Sequence, residues 1–170
     1  DTDFSLAGLT RPVAEMEFWL QVASLDAQHL DRLVCAQTLG GAARPLVQER
    51  RLNGMLKGFM DLVFEHEGRY YVADYKSNWL GPEASAYTPE ALTQAVLHHR
   101  YDLQYVLYTL ALHRLLRSRL AGYDYDRHVG GAVYLFLRGI EAPGQGVHFE
   151  RPPRALIEAL DAEFRGGVDL

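Results

Sequence analysis

The chain has one cysteine, Cys35, among its 170 residues, so it can close no internal disulfide. That usage fits a reducing cytoplasm. No apolar run approaches the ~18–20 residues that cross a membrane, and no leader-like pattern of basic, apolar and small residues opens the sequence. Positive charge is also in short supply: Lys and Arg number 17 against 22 Asp and Glu, for a net charge of −5. This is the wrong sign for gripping nucleic acid by bulk electrostatics. It leaves open a local groove lined by Arg44, Arg50, Arg51, Lys57, Lys76 and Arg100, or a partner that delivers the strand. The absence of a Gly-x-x-x-x-Gly-Lys-Ser/Thr loop excludes a P-loop motor in this chain. There is no internal repeat and no low-complexity tract.

What is present describes an ordinary globular domain. Hydrophobic residues make up 48% and charged residues 23%, and the length suits one domain with a substantial core. The chain starts at Asp1 without a methionine, which reads as a domain excised from a larger polypeptide. Residues 1–11 read as an irregular lead-in. Met16, Phe18, Leu20 and Val22 alternate with Glu15, Glu17, Trp19 and Gln21, which is strand periodicity. Residues 26–39 read as a helix capped by Asp26 and stopped by Gly40-Gly41. A hairpin is predicted over 52–76 and a loop over 77–87. A helix starts at Thr88-Pro89 and runs to about Ser118, with an irregularity near Tyr101. A buried strand over 130–137, a loop over 141–147 and a last helix from Pro152-Pro153 to about Gly166 complete the pattern. Residues 1–13 and the tail after Phe164 are expected to be mobile. The order β, α, β-hairpin, α, β, α supports an α/β fold with helices packed around a mixed central sheet.

The strongest chemical signal lies in the hairpin. Asp61 lies within one apolar stretch, between Phe59-Met60 and Leu62-Val63-Phe64, and Asp74-Tyr75-Lys76 closes the next. Two carboxylates and an ammonium within apolar strands are costly to bury unless something pairs with them, and a divalent metal and a phosphate would do so. A two-residue loop at Glu67-Gly68 sets Asp61 across from Asp74, whereas a loop of Glu65 to Gly68 sets it across from Val72. Either register puts Asp61, Asp74 and Lys76 on one face, and a three-residue loop would not. Met60, Leu62, Phe64, Tyr71, Ala73 and Tyr75 then form the opposite face, expected to be core. The plain alternatives are a solvated strand face or a cross-strand salt bridge. Phe59, Val63 and Val72, which share the charged face, speak against both.

Further on, Gln104 and Tyr108 stand at i, i+4 of the long helical pattern and so project from one side of it. Four stretches taken together, Gly54-x-x-x-Gly58-x-x-Asp61, Asp74-Tyr-Lys76-Ser-Asn-Trp-Leu-Gly81, His99-Arg-Tyr-Asp-Leu-Gln104-Tyr-x-Leu-Tyr108 and Gly130-Gly-x-x-Tyr-Leu-Phe-Leu-Arg-Gly139, closely resemble the RecB-type nuclease domains of bacterial exonuclease V (RecBCD) helicase-nucleases. These belong to the PD-(D/E)xK, restriction-endonuclease-like superfamily. The resemblance is strong over residues 50–140 and loose on the flanks.

The resemblance implies a restriction-endonuclease-like mixed sheet flanked by helices. It implies a Mg²⁺-dependent exodeoxyribonuclease that acts on DNA in double-strand break repair and recombination, with the other subunits of a RecBCD-type complex as partners, in the cytoplasm. Asp61 and Asp74 become metal ligands together with the backbone carbonyl of Tyr75. Lys76 becomes the residue that orients or deprotonates the attacking water or stabilises the transition state, and Gln104 and Tyr108 sit close to the site. A further acid belongs on the strand with the Ala14-Glu15-Met-Glu-Phe18 pattern, assigned to Glu15 with Glu17 next. The family's upstream metal-ligand histidine has no counterpart, since His29, the one histidine ahead of Asp61, sits in a different context. The chain therefore reads as a single nuclease domain over 1–170, the C-terminal part of a larger helicase-nuclease subunit, lacking the front of the nuclease domain. The alternative is a catalytically weak or inactive nuclease-fold module that docks partner subunits.

Overall fold

The computed structural model describes residues 10–165. Most of the predicted lead-in and mobile ends therefore fall outside the described residues, while positions 10–13 already belong to the first strand. The elements run β1 (Thr10–Asp26), α1 (Ala27–Gln37), β2 (Arg51–His66), β3 (Arg69–Lys76), α2 (Pro89–His99), α3 (Tyr101–Arg119), α4 (Tyr125–His128), β4 (Val129–Phe136), β5 (Val147–Glu150) and α5 (Arg154–Arg165). The five strands form one mixed sheet in sequence order, antiparallel except for the parallel β3–β4 pair. The connection between those two parallel strands carries α2, α3 and α4, as a crossover requires.

Local signals explain most boundaries. Asp26 caps α1 by accepting from the Gln28 N–H at 2.8 Å. Thr88 caps α2 by accepting from the Ala91 N–H, with Pro89 in the first turn. The irregularity expected near Tyr101 is a full break one residue earlier: Arg100 adopts a left-handed backbone with φ 57° and separates α2 from α3. Two elements were not foreseen. Both β5, inside and beyond the predicted loop, and α4 have four residues, too few for a periodic pattern to show.

The β2–β3 turn is the two-residue loop Glu67-Gly68, with φ of 50° and 77°. Positive φ at both positions is the type I′ requirement, whose twist suits a tight hairpin. The β2–β3 pairs are Leu62↔Ala73, Val63↔Val72 and Phe64↔Tyr71. One more residue along that register sets Asp61 opposite Asp74.

The principal core lies on the face expected to be charged. Val63, Val72, Ala132, Tyr134 and Phe136 join Leu30 and Val34 of α1, Leu92 and Val96 of α2, Val106 and Leu110 of α3, and Leu156 and Leu160 of α5. The face expected to be core holds a smaller cluster of sheet residues, Leu62, Phe64, Tyr71, Ala73, Val133 and Leu135. Two residues assigned to that face stand outside its cluster, although Tyr75 keeps to the face beside its pair partner Leu135. Met60 is in the principal core, and Tyr75 is 40% exposed. Met60 and Val63 share a cluster although strict alternation separates them, so the side-chain phase shifts across Asp61-Leu62. In β1 the facing position is irregular too: Glu15 has φ 51° and sits between the pairs Ala14↔Leu62 and Met16↔Met60.

Candidate active site

Asp61, Asp74 and Lys76 come together at the end of the β2–β3 ladder. Asp61 Oδ2 accepts the backbone N–H of Tyr75 at 2.9 Å, which ties the first acid to the residue between the second acid and the lysine. Asp74 is 5% exposed, and its Oδ2 lies 2.5 Å from Lys76 Nζ. The Lys76 ammonium also donates to Gln104 Oε1 at 2.8 Å and stands over the Tyr101 ring, 3.9 Å from its centroid. Tyr134, directly beside Asp74 on β4, donates its hydroxyl to the same Gln104 oxygen at 2.9 Å. Gln104 Nε2 then donates to Tyr108 Oη at 2.8 Å. The i, i+4 pair on α3 thus meets the strand residues above the sheet.

A cleft of about 310 Å³ opens beside this cluster, lined by Phe18, Lys57, Gly58, Leu107, Gln104 and Tyr108 among others. Gly58 is required here by close approach: a Cβ on it would come within 2.4 Å of the Phe18 ring. Phe18 in turn packs edge-on against Tyr108, with ring centroids 5.5 Å apart.

The electrostatics follow from burial. Desolvation pushes the Asp74 carboxyl above its ordinary range; Lys76 pulls it back and the negative charge of Asp61 pushes it further up. Tyr108 is pushed up to about 12, first by burial and then by the charge of Asp74. It is therefore a neutral hydroxyl at physiological pH. Its oxygen accepts from Gln104, so its hydrogen remains for an acceptor in the cleft.

The described residues contain no group of three or more His, Cys, Asp and Glu side chains gathered as a metal cage. They do offer two hard carboxylate oxygens sets against one ammonium, with one carboxyl already disfavoured as an anion. That donor chemistry fits an oxygen-loving divalent cation. The predicted supporting acids are not joined to it. Glu15 is exposed, and its left-handed backbone interrupts the alternation that put it on one face with Glu17. Glu17 instead pairs with Lys57 at 3.1 Å and accepts the Trp19 indole N–H.

Other residues at the site escaped the sequence reading. Tyr134 and Tyr101 were absent from it as site residues, although both lie inside the quoted motifs. Behind them runs a buried ion network. Arg44 pairs with Asp102 at 2.8 Å, and both side chains are almost fully buried. Arg100 pairs with Asp102 at 3.1 Å, with Asp31 of α1, and with the Pro45 carbonyl. This network fixes the left-handed break and hence the first turn of α3, which carries Gln104. The one advance signal was the Arg100 and Asp102 pair within the His99-to-Tyr108 stretch.

One mixed sheet thus presents two acids and a lysine on the same strand as the second acid, with a glutamine reaching down from a helix above it. The PD-(D/E)xK nuclease superfamily model matches residues 11–169, and the chain belongs to that superfamily. Within it, the chain is 52% identical over 171 residues to the RecBCD enzyme subunit RecB of Escherichia coli, covering 98% of this chain and 14% of the relative. It is 44% identical over 156 residues to the same subunit of Haemophilus influenzae, covering 89% and 13%. It is 42% identical over 134 residues to that of Mycobacterium tuberculosis, covering 74% and 12%. The chain thus spans only a small part of the length of the curated relatives it matches. No helix among the described residues is long and apolar enough to cross a membrane.

Proposed function

We propose that the chain is the Mg²⁺-dependent nuclease domain of a RecB-type helicase-nuclease subunit, cutting DNA in double-strand break repair and recombination. The observation that carries this reading is the gathering of Asp61, Asp74, Lys76, Gln104 and Tyr108, drawn from β2, β3 and α3, in one bonded cluster. Likeness to RecB over nearly the whole chain supports the choice of branch. On this reading residues 1–170 form one nuclease domain, the C-terminal part of a larger polypeptide. The helicase motor and the front of the nuclease domain lie upstream, other subunits of a RecBCD-type complex are partners, and the cytoplasm is the working compartment.

Asp61, Asp74 and the Tyr75 carbonyl would hold the Mg²⁺. When bound, the ion supplies Lewis acidity at the scissile phosphate and acidifies a water. Lys76, fixed by Asp74 and Gln104, orients the attacking water or offsets charge that develops on the phosphate. Tyr108 offers its hydroxyl hydrogen to a phosphate oxygen. Asp61 braces the Tyr75 backbone, so the carbonyl and the two flanking side chains keep a fixed mutual geometry.

The test is cleavage of end-labelled linear DNA with Mg²⁺ and with EDTA, comparing the chain with Asp61→Ala, Asp74→Ala and Lys76→Ala. Metal-dependent cleavage lost in all three folded variants supports the reading. Cleavage indifferent to EDTA, or retained by the variants, would refute it. A chain that binds neither Mg²⁺ nor DNA would favour the docking module instead.

A further inference from the structure

The chain that follows Lys76 is tied down on both sides of one residue. The Lys76 carbonyl accepts from the Leu137 N–H at 3.0 Å, and the Ser77 carbonyl accepts from Arg138 Nε at 3.2 Å. Tyr87 Oη donates to the Asn78 carbonyl at 3.1 Å and accepts from the Leu80 N–H at 3.2 Å. The Asn78 side chain accepts from Tyr101 Oη at 3.1 Å. Gly81 packs so closely that an added Cβ would meet the Ala86 side chain at 2.4 Å. Between Asn78 and Leu80, both held through Tyr87, stands Trp79, 68% exposed. Among the described residues its ring meets no other ring and no cation, and its indole N–H donates to none.

A single exposed apolar residue needs no explanation in itself. This one differs in its mounting and its place. An indole carries a large apolar area, and here it is presented on a backbone already ordered, so little conformational freedom is lost when a ligand arrives. Trp79 is three residues beyond Lys76, within roughly 10–11 Å of chain. Its neighbour Asn78 is bonded to Tyr101, whose ring covers the Lys76 ammonium. His99 stacks on the Tyr101 ring, at 5.3 Å and 20° between planes. Trp79 is thus next in the chain to a residue bonded to the ring that covers the lysine.

We infer that Trp79 is a stacking platform for an unpaired nucleobase of the DNA strand whose backbone lies at the Asp61–Asp74–Lys76 cleft. The inference rests on the nuclease reading and adds to it a preference for single strands, because a base must leave its stack to lie on the indole. A ring that accepts any base face is sequence-tolerant, which suits an enzyme without base-edge readout. Trp19 makes a poorer platform, since Lys57 already lies over its ring at 4.9 Å.

The chain has two tryptophans, so each can be observed alone. Trp19→Phe, which leaves Trp79 as the sole indole, is titrated with oligodeoxythymidylate and with an abasic oligomer of equal length, Ca²⁺ replacing Mg²⁺. Binding is followed separately by anisotropy of a labelled strand. The expected result is loss of half or more of the Trp79 emission with the base-bearing strand and little change with the abasic one. Trp79→Ala should weaken binding of the base-bearing strand about 5- to 100-fold, and Trp79→Phe should largely restore it. Emission unchanged at saturating DNA would overturn the inference, as would Trp79→Leu binding as well as Trp79→Phe, which would mark a plain apolar contact. In either case Mg²⁺-dependent cleavage by the unaltered chain would leave the nuclease reading standing. Its absence would strike that reading itself.

Discussion

Gln104 Oε1 is the shared acceptor for the Lys76 ammonium at 2.8 Å and the Tyr134 hydroxyl at 2.9 Å, so one amide oxygen on a helix sets the position of a lysine on a strand. The same side chain donates to Tyr108 through its nitrogen. Gln104 therefore fixes the amine and the phenol relative to one another without needing to touch substrate.

Replacing that amide should disturb chemistry before it disturbs folding. Gln104→Leu keeps the volume but removes the acceptor for Lys76 and the donor to Tyr108. We expect kcat to fall about 10- to 100-fold, as for other supporting contacts around a metal site, with KM changed much less. Steady-state cleavage kinetics decide it. A fall confined to KM would mean that Gln104 acts in strand binding instead.

Metal binding should be linked to pH through Asp74. Its carboxyl is raised by burial, so the folded state holds its proton to higher pH than the unfolded chain. The associated stability is complete below the ordinary carboxylate range and is lost as pH rises through the raised value. Mg²⁺ binds the ionised form and competes with that proton. The rise in Tm on adding Mg²⁺ should accordingly be larger at pH 8 than at pH 5, and Asp74→Asn should abolish the difference. Melts at the two pH values, with and without metal, test this; an equal rise at both would show that no proton on Asp74 competes with the metal over that range.

The buried ion network should carry stability. Arg44→Ala leaves Asp102 without one of its two cationic partners in a position closed to water. Breaking such a pair costs about 3–5 kcal/mol. Urea denaturation should show a lowered midpoint of that size. A cost under about 1 kcal/mol would mean that Arg100 alone suffices for Asp102.

Tyr75 separates the observed faces from the expected ones. As a core aromatic, its truncation would cost on the order of 3–5 kcal/mol. At 40% exposure, Tyr75→Ala should cost only about 1 kcal/mol, and Tyr134→Ala, fully buried beside Asp74, should cost several times more. Comparing the two in one denaturation series reads the sheet's covered face directly.

That contrast shows where the sequence stops speaking. The hairpin and the helix caps were legible because each rests on neighbours in the chain: Glu67-Gly68, Asp26, Thr88-Pro89; the hairpin register stayed open between two loop lengths until the structure showed the shorter one. The meeting of Gln104 with Tyr108 followed from helical spacing. Which sheet face the helices would cover did not follow, because Val63 and Val72 are as apolar as Leu62 and Phe64. Alternation yields two faces and is silent on which one a crossover will bury. Arg44 read as a residue of a basic groove, yet its side chain is buried against Asp102: that partner is distant in sequence, and a loop arginine reads as surface until the fold closes over it. The irregularity at Glu15 and Asp61, which shifts the side-chain phase, has no local signature at all.

The two-residue turn at Glu67-Gly68 has a consequence for change by insertion. Every pairing from His66↔Arg69 to Leu62↔Ala73 counts outward from it, and side chains reverse with each step of register. One extra residue there would carry the Asp61 carboxylate to the other side of the sheet from Asp74 while altering neither acid. A substitution at Glu67 to another residue that tolerates positive φ should be absorbed with little loss and one at Gly68 should cost backbone strain, but a change in the length of the bend should silence the site. The chemistry is thus guarded by a count of residues at the far end of the hairpin from the acids.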